Sequence, residues 1–318
     1  MVWWRRVSRS LASLAKRVHV PGWLRTALGI VILSVVIGFF GRQAGQTVSE
    51  ARQTWQPVSW LYVVLSFSSV LISLLAMALM WHGLLRTLDG HLPALTAVRF
   101  YGLTLLPRYV PGMVWGYVGR TVLCERAGVP RKTVVESIIA EVGLILGSGA
   151  VVIGMKRFGW GWGLLLGMPS ILLLTGGVSA WLMRREQWVS RFVRGGIWWG
   201  WMLAYVAFWL LYGLSTWFAV LSVAPEIATA ELPAIIVSTV LAWLGGFIVI
   251  LVPGGLGIRE SVFALTLTPM IGPAKGLLVP LLARLIGLSA EAVFFGGCLL
   301  LPRGGALSQE GTKVSEDC

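Results

Sequence analysis

The chain has 318 residues, of which 57% are hydrophobic and only 12% are charged, and its mean hydropathy is +0.81. Soluble domains average roughly a quarter charged residues, so this composition excludes an ordinary soluble protein. The net charge of +13 comes from short basic runs between apolar stretches, which is typical of membrane topology and argues against a nucleic-acid partner.

Residues 1–25 are predicted to form a basic amphipathic helix. Apolar side chains recur at helical spacing at Val7, Leu11, Leu14 and Val18, with basic side chains around them. Such a helix lies on an anionic membrane surface. A signal peptide is the alternative, but no small-residue cleavage site follows the first apolar stretch. The first membrane helix is therefore expected to be retained.

Seven apolar segments are candidate membrane spans, since a crossing takes about 20 apolar residues. They cover residues 26–40, 58–85, 133–154, 159–183, 197–223, 232–252 and 276–301. Two further segments, 91–117 and 254–270, are interrupted by Pro and Gly. The sequence predicts an all-α polytopic membrane helical bundle of about 7 full spans plus two broken or re-entrant segments. It occupies residues 26–301, and a short polar tail covers 302–318.

The distribution of Lys and Arg predicts a protein of the cell (inner) membrane with a cytoplasmic N-terminus. Both flanks of segment 91–117 are basic, so both are expected on the cytoplasmic side. We therefore predict a re-entrant hairpin whose two short helical limbs meet near residues 107–112, with the broken backbone buried in protein. The second broken segment, 254–270, is expected to turn back as well.

The first broken segment contains the first polar motif. Its candidate phosphate-binding residues are Arg108, Tyr109, Pro111, Gly112, Trp115 and Arg120. Proline removes amide donors and glycine allows close backbone approach. A broken helix exposes N–H groups, which together with a guanidinium can bind a phosphate. The alternative is a kinked helix with a snorkelling arginine and interfacial aromatic residues.

The second polar motif follows Pro253 and contains the candidate residues Gly254, Gly255, Gly257, Arg259 and Glu260. Glu260 suits a helix N-terminus, so helix capping is its simplest role. Arg259 would then be available for an anion or for an intramembrane carboxylate.

Ionisable residues inside the spans are few, and each costs roughly 2.5 to 3.5 kcal/mol at a helix centre. Glu136 and Glu141 lie near the start of one span, and Arg284 and Glu291 lie in the last. Arg284 and Glu291 are about two turns apart and share a helix face. A structural salt bridge and a polar pathway both explain them.

No metal or cofactor is expected, because the three cysteines and three histidines are scattered without ligand spacing. The sequence also contains no ATP-binding P-loop and no Asp-rich or His-x-Glu cluster. We therefore do not expect an enzyme.

Taken together, these motifs carry a family resemblance. Arg-Tyr-Val-Pro-Gly at 108–112, a glutamate at Glu141 and Pro-Gly-Gly-Leu-Gly-Ile-Arg-Glu at 253–260 resemble the lysylphosphatidylglycerol synthase transmembrane (flippase) domain family. The resemblance covers residues 26–301. It implies lipid translocation, and the chain resembles a stand-alone member, without the cytosolic aminoacyl-transferring domain of the bifunctional relatives.

The resulting hypothesis is a lipid translocase (flippase) for a phosphate-bearing lipid, either a phospholipid or a polyprenyl-phosphate-linked lipid. The two Pro-Gly elements would meet near mid-membrane and form a hydrophilic groove. Arg108, Arg120 and Arg259 would contact phosphate, and Glu141, Glu260 and Glu291 would balance charge or couple protons. Two alternatives stay open: a secondary transporter of a soluble solute, and an accessory subunit of a lipid- or glycosyl-transferring enzyme. A homo-oligomer is also open.

Overall fold

The computed structural model describes residues 58–109, 115–158, 197–248, 255 and 257–302. Within these ranges all regular structure is helical. The helices are α1 (Trp60–Thr87), α2 (Ala94–Leu103), α3 (Trp115–Arg126), α4 (Arg131–Phe158), α5 (Ile197–Leu221), α6 (Leu232–Ile248), α7 (Ile258–Ile271) and α8 (Pro273–Leu300). A short 3-10 turn, Leu106–Tyr109, follows α2. A second one, Thr229–Glu231, precedes α6.

Five of the described helices are long and apolar enough to cross a membrane: α1, α4, α5, α8, and α6 together with the turn before it. They confirm the predicted spans 58–85, 133–154, 197–223, 232–252 and 276–301. The predicted spans 26–40 and 159–183 lie outside the described residues, as do the surface helix 1–25 and the tail beyond residue 302.

Helix α5 lies at the centre of the bundle and contacts α1, α4, α6 and α8. Small residues let these helices approach closely, as is common in membrane bundles. A Cβ atom on Gly213 of α5 would lie 2.8 Å from the side chain of Ile236 on α6. Trp209, which is fully buried, places its indole N–H 3.0 Å from the hydroxyl of Ser148 on α4. The polar edge of this large aromatic side chain is therefore satisfied inside the core.

The first broken segment forms two helices, α2 and α3, with the 3-10 turn Leu106–Tyr109 between them. This confirms the predicted break and the first limb. The second limb lies mostly beyond the predicted segment 91–117, because α3 begins only at Trp115 and continues to Arg126. The limbs contact each other, and a Cβ atom on Gly119 of α3 would lie 3.4 Å from Thr104 at the end of α2. Re-entry of this pair into the membrane stays a prediction.

The second broken segment forms α7, which has 14 residues. Its length is about 21 Å, which is shorter than the roughly 30 Å hydrocarbon core of a bilayer. A single residue, Gly272 with φ +81°, joins α7 to α8. The two helices pack along each other, since a Cβ atom on Gly276 would lie 2.7 Å from Cα of Thr268. The chain therefore turns back here, and α7 and α8 form a helical hairpin.

Candidate functional site: a charged cavity among apolar helices

A cavity lies between α1, α5, α7 and α8, and it encloses about 560 Å³ including its open mouth. Helices α1 and α5 contribute hydroxyl groups to its wall, whereas α7 and α8 contribute charged groups. The hydroxyl-bearing residues are Ser66, Tyr212, Ser215 and Thr216. One of them also holds the wall together, because Ser66 donates a 2.7 Å hydrogen bond from its Oγ to the carbonyl of Ser215.

Helix α8 has one polar face and one apolar face. Arg284, Gly287 and Glu291 recur at helical spacing and line the cavity. The opposite face carries exposed apolar side chains, among them Leu285 and Val293, which are 63% and 55% exposed. The shared face predicted for Arg284 and Glu291 is therefore confirmed, and it faces the cavity.

The start of α7 is shaped by the glycines of the second motif. Gly255 and Gly257 have φ values of +67° and +83°, a region that favours glycine. A Cβ atom on Gly255 would lie only 2.8 Å from Cα of Gly246. The backbone N–H of Gly257 donates a 2.7 Å hydrogen bond to Oε2 of Glu260. Glu260 therefore caps α7, as its position predicted.

The Glu260 carboxylate also faces a cation on the neighbouring helix. Its Oε1 lies 3.7 Å from Nε of Arg284, and both side chains are largely buried. One carboxylate thus satisfies a helix N-terminus and neutralises a guanidinium on α8.

Arg259 lies beside Glu260 and also lines the cavity. Its guanidinium stands 5.3 Å from the ring centroid of Trp243 on α6, within cation–π distance. Gly246 leaves room for this side chain, because a Cβ atom there would lie 2.6 Å from Cγ of Arg259. The glycines of the second motif and of α6 therefore determine where Arg259 sits.

Tyr109 brings the first motif into the same cavity. Its hydroxyl donates a 2.8 Å hydrogen bond to Oε2 of Glu291, and the guanidinium of Arg284 lies 5.5 Å from its ring centroid. Tyr109 of the first motif and Arg259 and Glu260 of the second motif therefore line the same cavity. Direct contact between the two Pro-Gly elements stays a prediction. Their depth in the membrane stays a prediction.

Arg120 and Glu141 form a second polar cluster that does not line the cavity. Nη1 of Arg120 lies 2.7 Å from Oε2 of Glu141, and both side chains are almost fully buried. The Arg120 guanidinium lies between the rings of Trp81, Tyr101 and Tyr117, at 4.7, 4.2 and 5.7 Å from their centroids. Charge balancing by Glu141 thus takes place inside the core, away from the cavity that holds Arg259.

The remaining predicted residues are distributed as follows. Trp115 begins α3, is 46% exposed and does not line the cavity. The backbone of Arg108 lies in the 3-10 turn. Its side chain lies outside the described residues, as do the residues Pro111, Gly112 and Gly254. Glu136 lies 3.7 Å from Lys132 one turn earlier on α4 and does not line the cavity.

Sequence reasoning missed the hydroxyl wall of the cavity and the aromatic partner Trp243. Ser66, Ser69 and Ser73 recur on one face of the apolar helix α1. Hydroxyl residues at such spacing in a membrane span indicate a buried polar face. This signal was present in the sequence.

The comparison with protein families gave one match. The model of the lysylphosphatidylglycerol synthase transmembrane region matches residues 23–292, which is most of the chain. Neither the curated proteins nor the solved structures gave a match. The chain is therefore a multi-pass membrane protein that belongs to the family of lysylphosphatidylglycerol synthase transmembrane regions.

Proposed function

We propose that the protein is a lipid translocase that moves a phosphate-bearing lipid through the cavity between α1, α5, α7 and α8. One observation carries this proposal. Tyr109, Arg259, Glu260, Arg284 and Glu291 converge on one cavity among helices that are otherwise apolar. Ionisable residues at such positions are costly and commonly mark a substrate path.

The two arginines give the cavity its preference for phosphate. A guanidinium stays charged when it is poorly hydrated and binds phosphate through two parallel hydrogen bonds. Arg259 and Arg284 face the same cavity from different helices. Glu260 lies 3.7 Å from Arg284. An entering phosphate would take over part of this pairing, so the site would exchange one anion for another at little cost in charge balance.

The two faces of α8, one polar and one apolar, suit an amphipathic substrate. Gly287 and Leu288 of α8 line the cavity, whereas Leu285 and Val293 on the opposite face of the same helix are exposed. A headgroup inside and acyl or isoprenoid tails outside would therefore be separated by a single helix. We propose that the lipid enters beside α8, with its tails remaining in the bilayer.

We propose transport rather than catalysis because both carboxylates of the cavity are engaged. Glu260 accepts a hydrogen bond from the start of α7, and Glu291 accepts one from Tyr109. A general base would need a carboxylate available to the substrate.

The decisive experiment measures lipid translocation by the purified full chain in liposomes. Phospholipids and polyprenyl phosphates with a fluorescent headgroup are tested separately, using a membrane-impermeant quencher. We expect protein-dependent loss of protection for at least one phosphate-bearing lipid. Arg259→Gln should slow this loss by at least about tenfold, which corresponds to about 1.4 kcal/mol. Arg86→Gln, at an exposed position in the last turn of α1, is the matched control and should behave as wild type.

Two outcomes would overturn the proposal. If no lipid loses protection while the protein carries a soluble phosphate ester into the liposomes, the cavity belongs to a solute transporter. If neither a lipid nor a soluble solute moves, an accessory role for a lipid- or glycosyl-transferring enzyme is favoured.

A further inference from the structure

Arg99, on α2, is a buried cation that does not line the cavity. Its side chain is only 9% exposed, and its Nε has no hydrogen-bond partner. Within the described part of the chain, no carboxylate forms an ion pair with it. Arg120, which is also buried, is paired directly with Glu141. A buried guanidinium with no anion is unfavourable, because the lost hydration is not replaced.

Arg99 belongs to the contact between α2 and α8. The thiol of Cys298 lies 3.6 Å from the carbonyl of Val98, and a Cβ atom on Gly102 would clash with Sγ of Cys298. The two helices are thus in close contact around Arg99. The C-terminus of α8 has a negative partial charge that favours a nearby cation. That partial charge is a weak substitute for a full counter-ion.

This contact lies at one end of the bundle. Helix α2 begins five residues before Arg99, and α8 ends two residues after Cys298, which places the contact within about 8 Å of both helix ends. The loop before α2 carries the exposed side chains of Asp89 and His91. A polar loop next to apolar helix ends is typical of the membrane–water boundary, where lipid phosphates lie.

The contact is distinct from the cavity. Cys298 lies seven residues beyond Glu291 on α8, a distance of about 10 Å along the helix axis, and Arg99 does not line the cavity. We propose that Arg99 binds the phosphate of an anionic membrane lipid beside the α2–α8 contact. The site does not depend on transport through the cavity, and the bound lipid stabilises the bundle.

The test compares a lipid that has a phosphate-bearing headgroup with the same lipid without it and with phosphate alone. The purified full chain is freed of lipid in detergent and titrated with phosphatidylglycerol, with diacylglycerol of the same acyl chains, or with inorganic phosphate. Native mass spectrometry measures retained lipid, and the unfolding temperature measures stabilisation. We expect phosphatidylglycerol alone to be retained and to raise the unfolding temperature. Arg99→Gln should weaken its apparent affinity by at least about tenfold.

Arg86→Gln is the matched control, because Arg86 is an exposed arginine in the last turn of α1, the helix that leads into the same loop. Its affinity for phosphatidylglycerol should stay within about twofold of wild type. Arg99→Met tests a purely structural role. In lipid-free detergent its unfolding temperature should equal or exceed that of wild type, since it removes an uncompensated charge while keeping an unbranched side chain.

Three results would overturn the proposal. Diacylglycerol that binds as well as phosphatidylglycerol would show that the phosphate is irrelevant. Equal stabilisation by inorganic phosphate would assign the site to a soluble anion. A lower unfolding temperature of Arg99→Met in lipid-free detergent, with lipid affinity unchanged, would assign Arg99 to the internal structure. If Arg99→Gln fails to fold, the phosphatidylglycerol affinity of Arg99→Met, which should also fall by at least about tenfold, takes its place.

Discussion

Tyr109 donates a 2.8 Å hydrogen bond to Glu291, which lies 182 residues later in the chain. This bond connects the 3-10 turn between α2 and α3 to the middle of the last helix, α8. Glu291 is only 8% exposed, so water replaces few of its hydrogen bonds. The bond therefore contributes to the stability of the fold at the cavity wall.

Tyr109→Phe removes this hydrogen bond and keeps the ring. We expect the free energy of unfolding to fall by about 1 kcal/mol, the usual net contribution of such a bond. Denaturation by heat or by sodium dodecyl sulfate measures the loss. Tyr62→Phe is the control, because Tyr62 stacks on Phe218 through its ring and its hydroxyl has no partner in the described part of the chain. Equal losses in the two variants would contradict the prediction.

Glu141→Gln removes the counter-ion of Arg120 inside the core. A buried guanidinium left alone is expected to cost about 3–5 kcal/mol in the free energy of unfolding. The double variant Arg120→Met with Glu141→Leu should recover most of that loss, since it removes both charges. The same denaturation assay measures both variants. A double variant at least as unstable as Glu141→Gln would contradict the pairing of the two charges.

Gly255→Ala is expected to destabilise the start of α7, because φ is +67° and the new Cβ would clash with the backbone of Gly246. Gly143→Ala is the opposite case. Gly143 lies within α4 with open space around it, so alanine should be neutral or should stabilise by up to about 1 kcal/mol. The unfolding temperatures of the two variants should therefore change in opposite directions. If both variants lowered the unfolding temperature by the same amount, the positive φ of Gly255 would not explain the loss of stability.

Glu226 and Lys275 predict a small dependence of stability on pH outside the spans. The ammonium of Lys275 donates a hydrogen bond to Oε1 of Glu226, and this bond lowers the pKa of that carboxyl in the folded protein. Its stabilisation is therefore present above the unfolded pKa of roughly 4.3 and is lost as the pH falls through the lower folded value. Because Glu226 is 60% exposed, the effect should stay below about 1 kcal/mol.

Glu226→Gln provides the measurement. Its unfolding temperature should lie slightly below that of wild type at pH 7, and the two values should converge as the pH falls towards 3. A difference that grows in acid would reverse the predicted sign.

The long helices were predictable because about 20 apolar residues in a row have few alternatives to a membrane span. The predicted spans 58–85 and 197–223 correspond closely to α1 and α5. Helix ends were less predictable. Helix α8 begins at Pro273 rather than at residue 276, because proline suits the first turn of a helix and Gly272 supplies the turn before it.

The candidate site was partly predictable. The second Pro-Gly motif identified Arg259 and Glu260, and rare charges in apolar spans identified Arg284 and Glu291; all four line the cavity. The first motif selected Arg120 and the rare charges selected Glu141, which pair in the core instead. These signals detect a buried charge but do not say which other charge it meets, since that depends on helix packing. For the same reason the contact of Arg259 with Trp243 could not be derived from the sequence.

The buried ion pairs also bear on how this chain enters a bilayer during synthesis. Arg120 lies on α3, and Glu141 lies 21 residues later on the next helix, α4. Glu260 and Arg284 are likewise on successive helices, α7 and α8. Each of these four charges can therefore leave the insertion machinery together with its counter-charge, on a pair of successive helices. The bond between Tyr109 and Glu291 joins the turn after α2 to α8, so this part of the cavity wall forms only once α8 has been inserted.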